Sequence, residues 1–156
     1  MLAAVVAVAL AMGGGAAAAS TAAGGEQALP TRSCPTSGSC PPPQTVVLAR
    51  KSVVAPRAET VLVVAVVRVR ASATAGVDVG VIGALGTGRL SGIERTVRPG
   101  ASALISYPVL ARLPPGRHVL SLAASTTAPN GTEVTVTGAW LVVTTGGSRD
   151  GPADLP

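Results

Sequence analysis

Residues 61–72, VLVVAVVRVRAS, decide the fold. The odd positions Val61, Val63, Ala65, Val67 and Val69 form one wholly apolar side. The even positions run from Leu62, Val64 and Val66 to Arg68 and Arg70. A period of two is the signature of a strand, because successive side chains leave a pleated backbone on opposite faces. The odd face is therefore core. The even face reads as starting covered and ending in solvent, as in a central sandwich strand that emerges at the rim of its sheet.

Outward from this strand the same test finds others. Val77, Val79 and Val81 alternate with Asp78 and Gly80; Ala101, Ala103, Ile105 and Tyr107 share a side; Leu120 and Leu122 alternate with Val119 and Ser121. Val134 and Val136 alternate with Glu133, Thr135 and Thr137, and AWLVVTT follows Gly138. With TVVLARKSVV and IERTV the strands number about eight. Pro56, Pro99-Gly100, Pro114-Pro115-Gly116 and Pro129-Asn130-Gly131 separate them, since Pro fixes φ and Gly accepts a positive φ. Asn130-Gly131 between apolar runs is a strong hairpin signal. After residue 25 no segment carries a helical period. The fold class is all-β: an antiparallel, jelly-roll-like β-sandwich over residues 45–145.

Composition supports this reading. Hydrophobic residues make up 47% of the 156 and charged residues 12%, more apolar material than a disordered chain carries. With one Trp, one Tyr and no Phe, the core is built from Val, Leu, Ile and Ala, and β-branched side chains suit a pleated surface. The net charge is +5. The basic residues are scattered singly, and all but Lys51 are Arg, which with abundant Gly, Ala, Val and Pro points to a GC-rich, bacterial coding source. Two aromatic rings are too few for stacking on nucleic acid, so no nucleic-acid partner is expected.

The ends read differently. MLAAVVAVALAMGGGAAAAS has an apolar run from Leu2 to Met12, then small residues that fit leader cleavage after Ala19 or Ala23, although no Lys or Arg precedes the run. Residues 1–23 are thus expected to be a signal peptide, and the chain to be secreted or held at the cell surface. The run of about 11 residues is well short of the roughly 20 that a membrane-spanning helix requires, which disfavours a retained anchor. Residues 24–44 read as a Pro/Ser-rich linker, with Pro41-Pro42-Pro43 favouring an extended spacer. Cys34 and Cys40, in CPTSGSC, would pair in an oxidising compartment and close a small loop. Residues 146–156 read as a disordered tail.

The portion YPVLARLPPGRHVLSLAAS, followed by NGTEVTVTGAWLVVTT, resembles the C-terminal half of jelly-roll modules of the tumour-necrosis-factor and complement-head type and their bacterial and phage-tail relatives. The resemblance implies a non-enzymatic adhesive or structural domain, often trimeric. The aromatic residues that fill the subunit contacts of that family are missing here, which puts the trimer in doubt.

Catalytic chemistry has little to work with. Glu59, Asp78, Glu94 and Glu133 lie in separate segments, no Gly-x-Ser-x-Gly elbow occurs, and GALGTGRL from Gly83 puts Arg89 and Leu90 where a phosphate loop needs Lys and Ser/Thr. His118 stands alone, remote from either Cys, so neither a metal nor a cofactor is expected. Trp140 reads as a plug of the sandwich interior. Only a cluster of Glu94, Glu133 and His118 would revive an enzyme. The function expected is an exported, non-catalytic structural or adhesive module with an unknown protein or surface partner and possible homo-oligomers. The alternative is a small-ligand or inhibitor-type binding module using loops Gly83–Gly92 and Ala124–Gly131 at one end of the sandwich, with Arg89 and Asn130 as loop-binding residues.

Overall fold

A computed structural model of the chain describes residues 17–23, 25–32, 37–84 and 90–145. They contain the strands β1 (Ala17–Ala23), β2 (Gln27–Ala28), β3 (Val46–Ala55), β4 (Glu59–Ala71), β5 (Ala75–Ile82), β6 (Leu90–Val97), β7 (Ser102–Leu113), β8 (Gly116–Thr126) and β9 (Val134–Thr145). No helix occurs among the described residues.

The pairing is nested. β5 pairs with β6, β4 with β7, β3 with β8, and β1 and β2 in succession with β9, all antiparallel. A long ribbon folded back at the β5–β6 turn and then rolled gives this order, which is that of a jelly roll. Rolling brings β4 beside β9 and β5 beside β8. The result is two stacked sheets, β1-β9-β4-β7 (sheet A, with β2 also on β9) and β3-β8-β5-β6 (sheet B). Because β1 and β2 share one edge, nine strands fill eight positions.

The period-two reading of β4 holds on its odd face: Val61, Val63, Ala65, Val67 and Val69 are all fully buried. They meet Val77, Val79, Val81, Leu120 and Leu122 of sheet B, with Ala139, Leu141 and Val143 of β9 beside them. Each fully buried Val or Leu contributes roughly 1.5–3 kcal/mol, so this aliphatic layer supplies the main driving force without aromatic bulk. The even face differs from expectation. Leu62, at the start of that face, is 40% exposed, because β4 lies inside a sheet whose other side faces outward.

The turns also differ. Among the described strands only β5 and β6 form a hairpin with their sequence neighbour. Asn130-Gly131 joins β8 of sheet B to β9 of sheet A, so it turns a corner between sheets instead of closing a hairpin. Seven residues, 127–133, separate those strands, too many for the two-residue turn that Asn-Gly favours in hairpins. Gly131 has φ +81°, and Thr132 N–H donates to the Pro129 carbonyl at 3.2 Å. At the same corner Thr126, fully buried, donates from Oγ1 to the Gly76 carbonyl at 2.8 Å and accepts from Ala128 N–H at 3.1 Å. A buried hydroxyl is satisfied by this pair of bonds.

Contact with the sandwich begins ahead of Thr45. β1 falls within the stretch read as the leader, and β2 within the stretch read as the linker. Leu29 is 3% exposed, and its N–H donates to the Val134 carbonyl at 2.8 Å.

Candidate functional site

The outer face of sheet A is built from the side chains that alternate with the core. In β4 these are Leu62, Val64, Val66 and Arg68; in β7 they are Leu104, Ser106, Pro108 and Leu110; in β9 they are Trp140, Val142 and Thr144. Strand register sets them in rows: Leu110 beside Leu62 beside Thr144, Pro108 beside Val64 beside Val142, and Ser106 beside Val66 beside Trp140. Strands about 4.8 Å apart bring such rows into side-chain contact. Leu110 is 67% exposed and Leu104 64%. Single exposed apolar residues are ordinary, but a contiguous patch marks an interaction surface.

Trp140 belongs to this patch and not to the interior. Its neighbours Ala139 and Leu141 point into the core at 2% and 0% exposure, so alternation sends the indole outward. A register shift between Arg68 and Val69 sets Gly138 opposite Arg68. A Cβ on Gly138 would lie 2.5 Å from the Trp140 Cη2 atom, so the ring lies over the bare glycine backbone. The Arg68 guanidinium stands 5.8 Å from the ring centroid, within cation–π range. The patch is therefore an aliphatic surface with one Arg-capped aromatic at its β9 side.

Sheet B carries a polar group on its outer face. Asp78 of β5 faces Glu94 of β6 across the ladder. The Asp78 carboxyl is pushed above its ordinary value, first by burial and then by the Glu94 charge, against the pull of Arg32. Among the described residues, no group of three His, Cys, Asp or Glu side chains is placed to hold a metal ion.

The residues named for an enzyme do not converge. His118 sits at the start of β8 and donates from Nε2 to the Pro114 carbonyl at 2.7 Å. Glu94 lies in β6, and Glu133, in the 127–133 corner, is tied to Ser72 by its backbone: its N–H donates to Ser72 Oγ at 2.8 Å and its carbonyl accepts from Ser72 N–H at 2.9 Å. The two loops proposed for small-ligand binding leave β5 from opposite ends: Gly83 follows its last residue, whereas Thr127 N–H donates to the Gly76 carbonyl near its first. Eight strand residues separate their described ends by about 25 Å, so those ends do not share one end of the sandwich. This corrects the loop-site alternative; Asn130 is exposed at the corner, and Arg89 lies outside the described residues. So does Cys34, while Cys40 is exposed.

The outward Trp140 was not visible in the sequence, because AWLVVTT is apolar on both sides and alternation alone does not say which is inside. Gly138 two residues earlier was the available signal, since an aromatic can cover a glycine on a sheet surface.

No family model matches the chain, and no curated protein matches it. Solved structures similar to this chain include two of a virus. A chain in the structure of infectious bursal disease virus, Gx strain, superposes with a TM-score of 0.54 at 12% identity over 85% of this chain and 35% of that one. A chain of the Gt strain gives 0.46 at 15% identity over 82% and 31%. The protein thus spans about a third of the length of those viral chains. What the Gx likeness shows at this identity is the fold: an all-β sandwich of two antiparallel sheets.

Proposed function

We propose that this is an exported, non-catalytic structural or adhesive module that self-associates through the outer face of sheet A. The observation that carries the reading is the apolar patch of Leu62, Leu104, Leu110, Val64, Val66 and Val142 beside the Arg68-capped Trp140. A patch of this kind on an otherwise solvated sheet costs free energy in water and is relieved by covering it. Export is supported by the leader-like residues 1–23, and in an oxidising compartment Cys34 and Cys40 pair and tie the chain ahead of β3. The same proposal includes kinship with the tumour-necrosis-factor and complement-head modules, for which the jelly-roll order is the support.

The test is light scattering on the mature chain recovered outside the cell. The wild type should grow in mass with concentration through the micromolar range. Leu104→Lys with Leu110→Lys should weaken the association at least tenfold, because each introduces a charge that must be desolvated on contact. A wild type that stays monomeric, or a double variant that associates as well as the wild type, would rule this function out.

A further inference from the structure

A sheet edge with free N–H and C=O groups accepts another strand, and proteins guard such edges with charges, Pro or short strands. Three strands at the sheet edges are guarded in this way. β3 carries Arg50 and Lys51, β6 carries Glu94 and Arg95, and β7 carries Pro108 and Arg112. β9, by contrast, reads VTVTGAWLVVTT, without a charge or a Pro over its whole length. It is composed as an interior strand, and in this structure it is one: β4 pairs along one side, and β1 and β2 cover the other.

The cover, however, lies in the stretch that leader cleavage removes. β1 is Ala17–Ala23, pairing with Ala139–Thr144. Cleavage after Ala23 deletes it, and cleavage after Ala19 deletes the pairs Ala17 with Thr144 and Ala18 with Val143. β2 remains, but it reaches only Thr135 and Val136. Cut after Ala23, the chain presents the Ala139–Thr144 side of β9 as an unguarded edge; cut after Ala19, it keeps Thr21, Ala22 and Ala23 paired with Leu141, Trp140 and Ala139.

We infer that removing the leader opens this edge to a second copy of the chain, with β9 pairing to β9 across a two-fold axis. Three observations favour a second copy. β1 shows that the edge takes an antiparallel strand, and a two-fold axis normal to the sheet makes two β9 strands antiparallel. No charge on β9 opposes its own copy at that axis. The same axis leaves outward side chains on one side, so the two patches around Trp140 and Val142 join into one surface, which main-chain pairing alone would not require of another partner. Before export, β1 keeps the edge closed and the precursor single; cleavage converts it to the assembling form.

The inference rests on the leader belonging to an exported chain, and its test separates the two. The full chain is made by membrane-free synthesis and divided, and one half is treated with membrane vesicles containing leader peptidase. Both halves carry Leu104→Lys and Leu110→Lys, which lie on β7, two strands away from β9, so that the outer face does not contribute. Intact mass gives the new N-terminus, and chromatography with light scattering gives the size. The uncut chain should run as a monomer of about 15 kDa, and the chain cut after Ala23 at twice its own mass; a chain cut only after Ala19 keeps three β1 pairs on the edge, and its dimerising to the same degree would overturn the inference. A chain cut after Ala23 that stays monomeric at high micromolar concentration overturns the edge inference and leaves export standing. A chain that the peptidase does not cut overturns both, and an uncut chain that dimerises equally shows that β1 does not guard the edge.

Discussion

Leu122 and Leu110 have the same chemistry and opposite surroundings, so truncating each to Ala measures which way its strand faces. Leu122 of β8 is fully buried, whereas Leu110 of β7 is 67% exposed. Leu→Ala removes three carbons, and at about 0.8 kcal/mol per buried carbon the transfer term at Leu122 is about 2.4 kcal/mol. The cavity left between the stacked sheets adds to this, for a total of about 3–4 kcal/mol. At Leu110 most of the side chain is already wet, and the cost should be below about 0.5 kcal/mol. Urea unfolding followed by circular dichroism reads the difference. With a slope of about 1.5–2 kcal/mol/M, Leu122→Ala should lower the midpoint by about 2 M and Leu110→Ala should barely move it. Measurements belong at low micromolar concentration, where association does not contribute. Equal losses at the two positions would refute the inward and outward assignment of β7 and β8.

Other perturbations test separate parts of the account. Gly80→Ala should destabilise by about 1–3 kcal/mol or more, because its Cβ would land on the Ser91 carbonyl and the Gly92 backbone across the β5–β6 ladder, where no flexible side chain can yield; urea unfolding checks it. Gly138→Ala should displace the Trp140 ring and change its fluorescence emission at a cost of about 1 kcal/mol. Asp78 is raised in the folded state, so the fold holds its proton more tightly than the unfolded chain does. Stability from this group is full below the ordinary carboxylate range and is lost as pH rises through that range to the raised value. Asp78→Asn should therefore raise the urea midpoint at neutral pH, and the gain should vanish in acid; a variant less stable than wild type at neutral pH would contradict the sign.

Much of the fold can be read from single strands. In β4, Arg68 and Arg70 break one face and leave the other wholly apolar, so the period of two is unambiguous and the core side follows. In β9 both faces are apolar around Trp140, and only the partner strands decide that Ala139, Leu141 and Val143 point inward. Leu29 is a lone apolar residue among Pro, Thr and Arg, and one residue has no period, so its burial at the end of β2 leaves no pattern in the sequence. Asn130-Gly131 signals a tight change of direction, but whether the chain returns to the same sheet or crosses to the other depends on how the whole ribbon rolls. That long-range choice also sets the loops after β5 and β8 at opposite ends. Local chemistry specifies strands and turns, whereas the candidate site is a product of register between strands far apart in sequence.

The account depends most on one arrangement: Leu62, Leu104 and Leu110 share a solvent-facing side of sheet A while Leu113, Leu120, Leu122 and Leu141 fill the interior. Methyl NMR of leucine-labelled protein with a soluble paramagnetic probe reads this directly. The account predicts strong broadening of the Leu62, Leu104 and Leu110 methyls in the dilute monomer and protection of the other four. Protection of Leu104 and Leu110 to the same degree as Leu122 would contradict it.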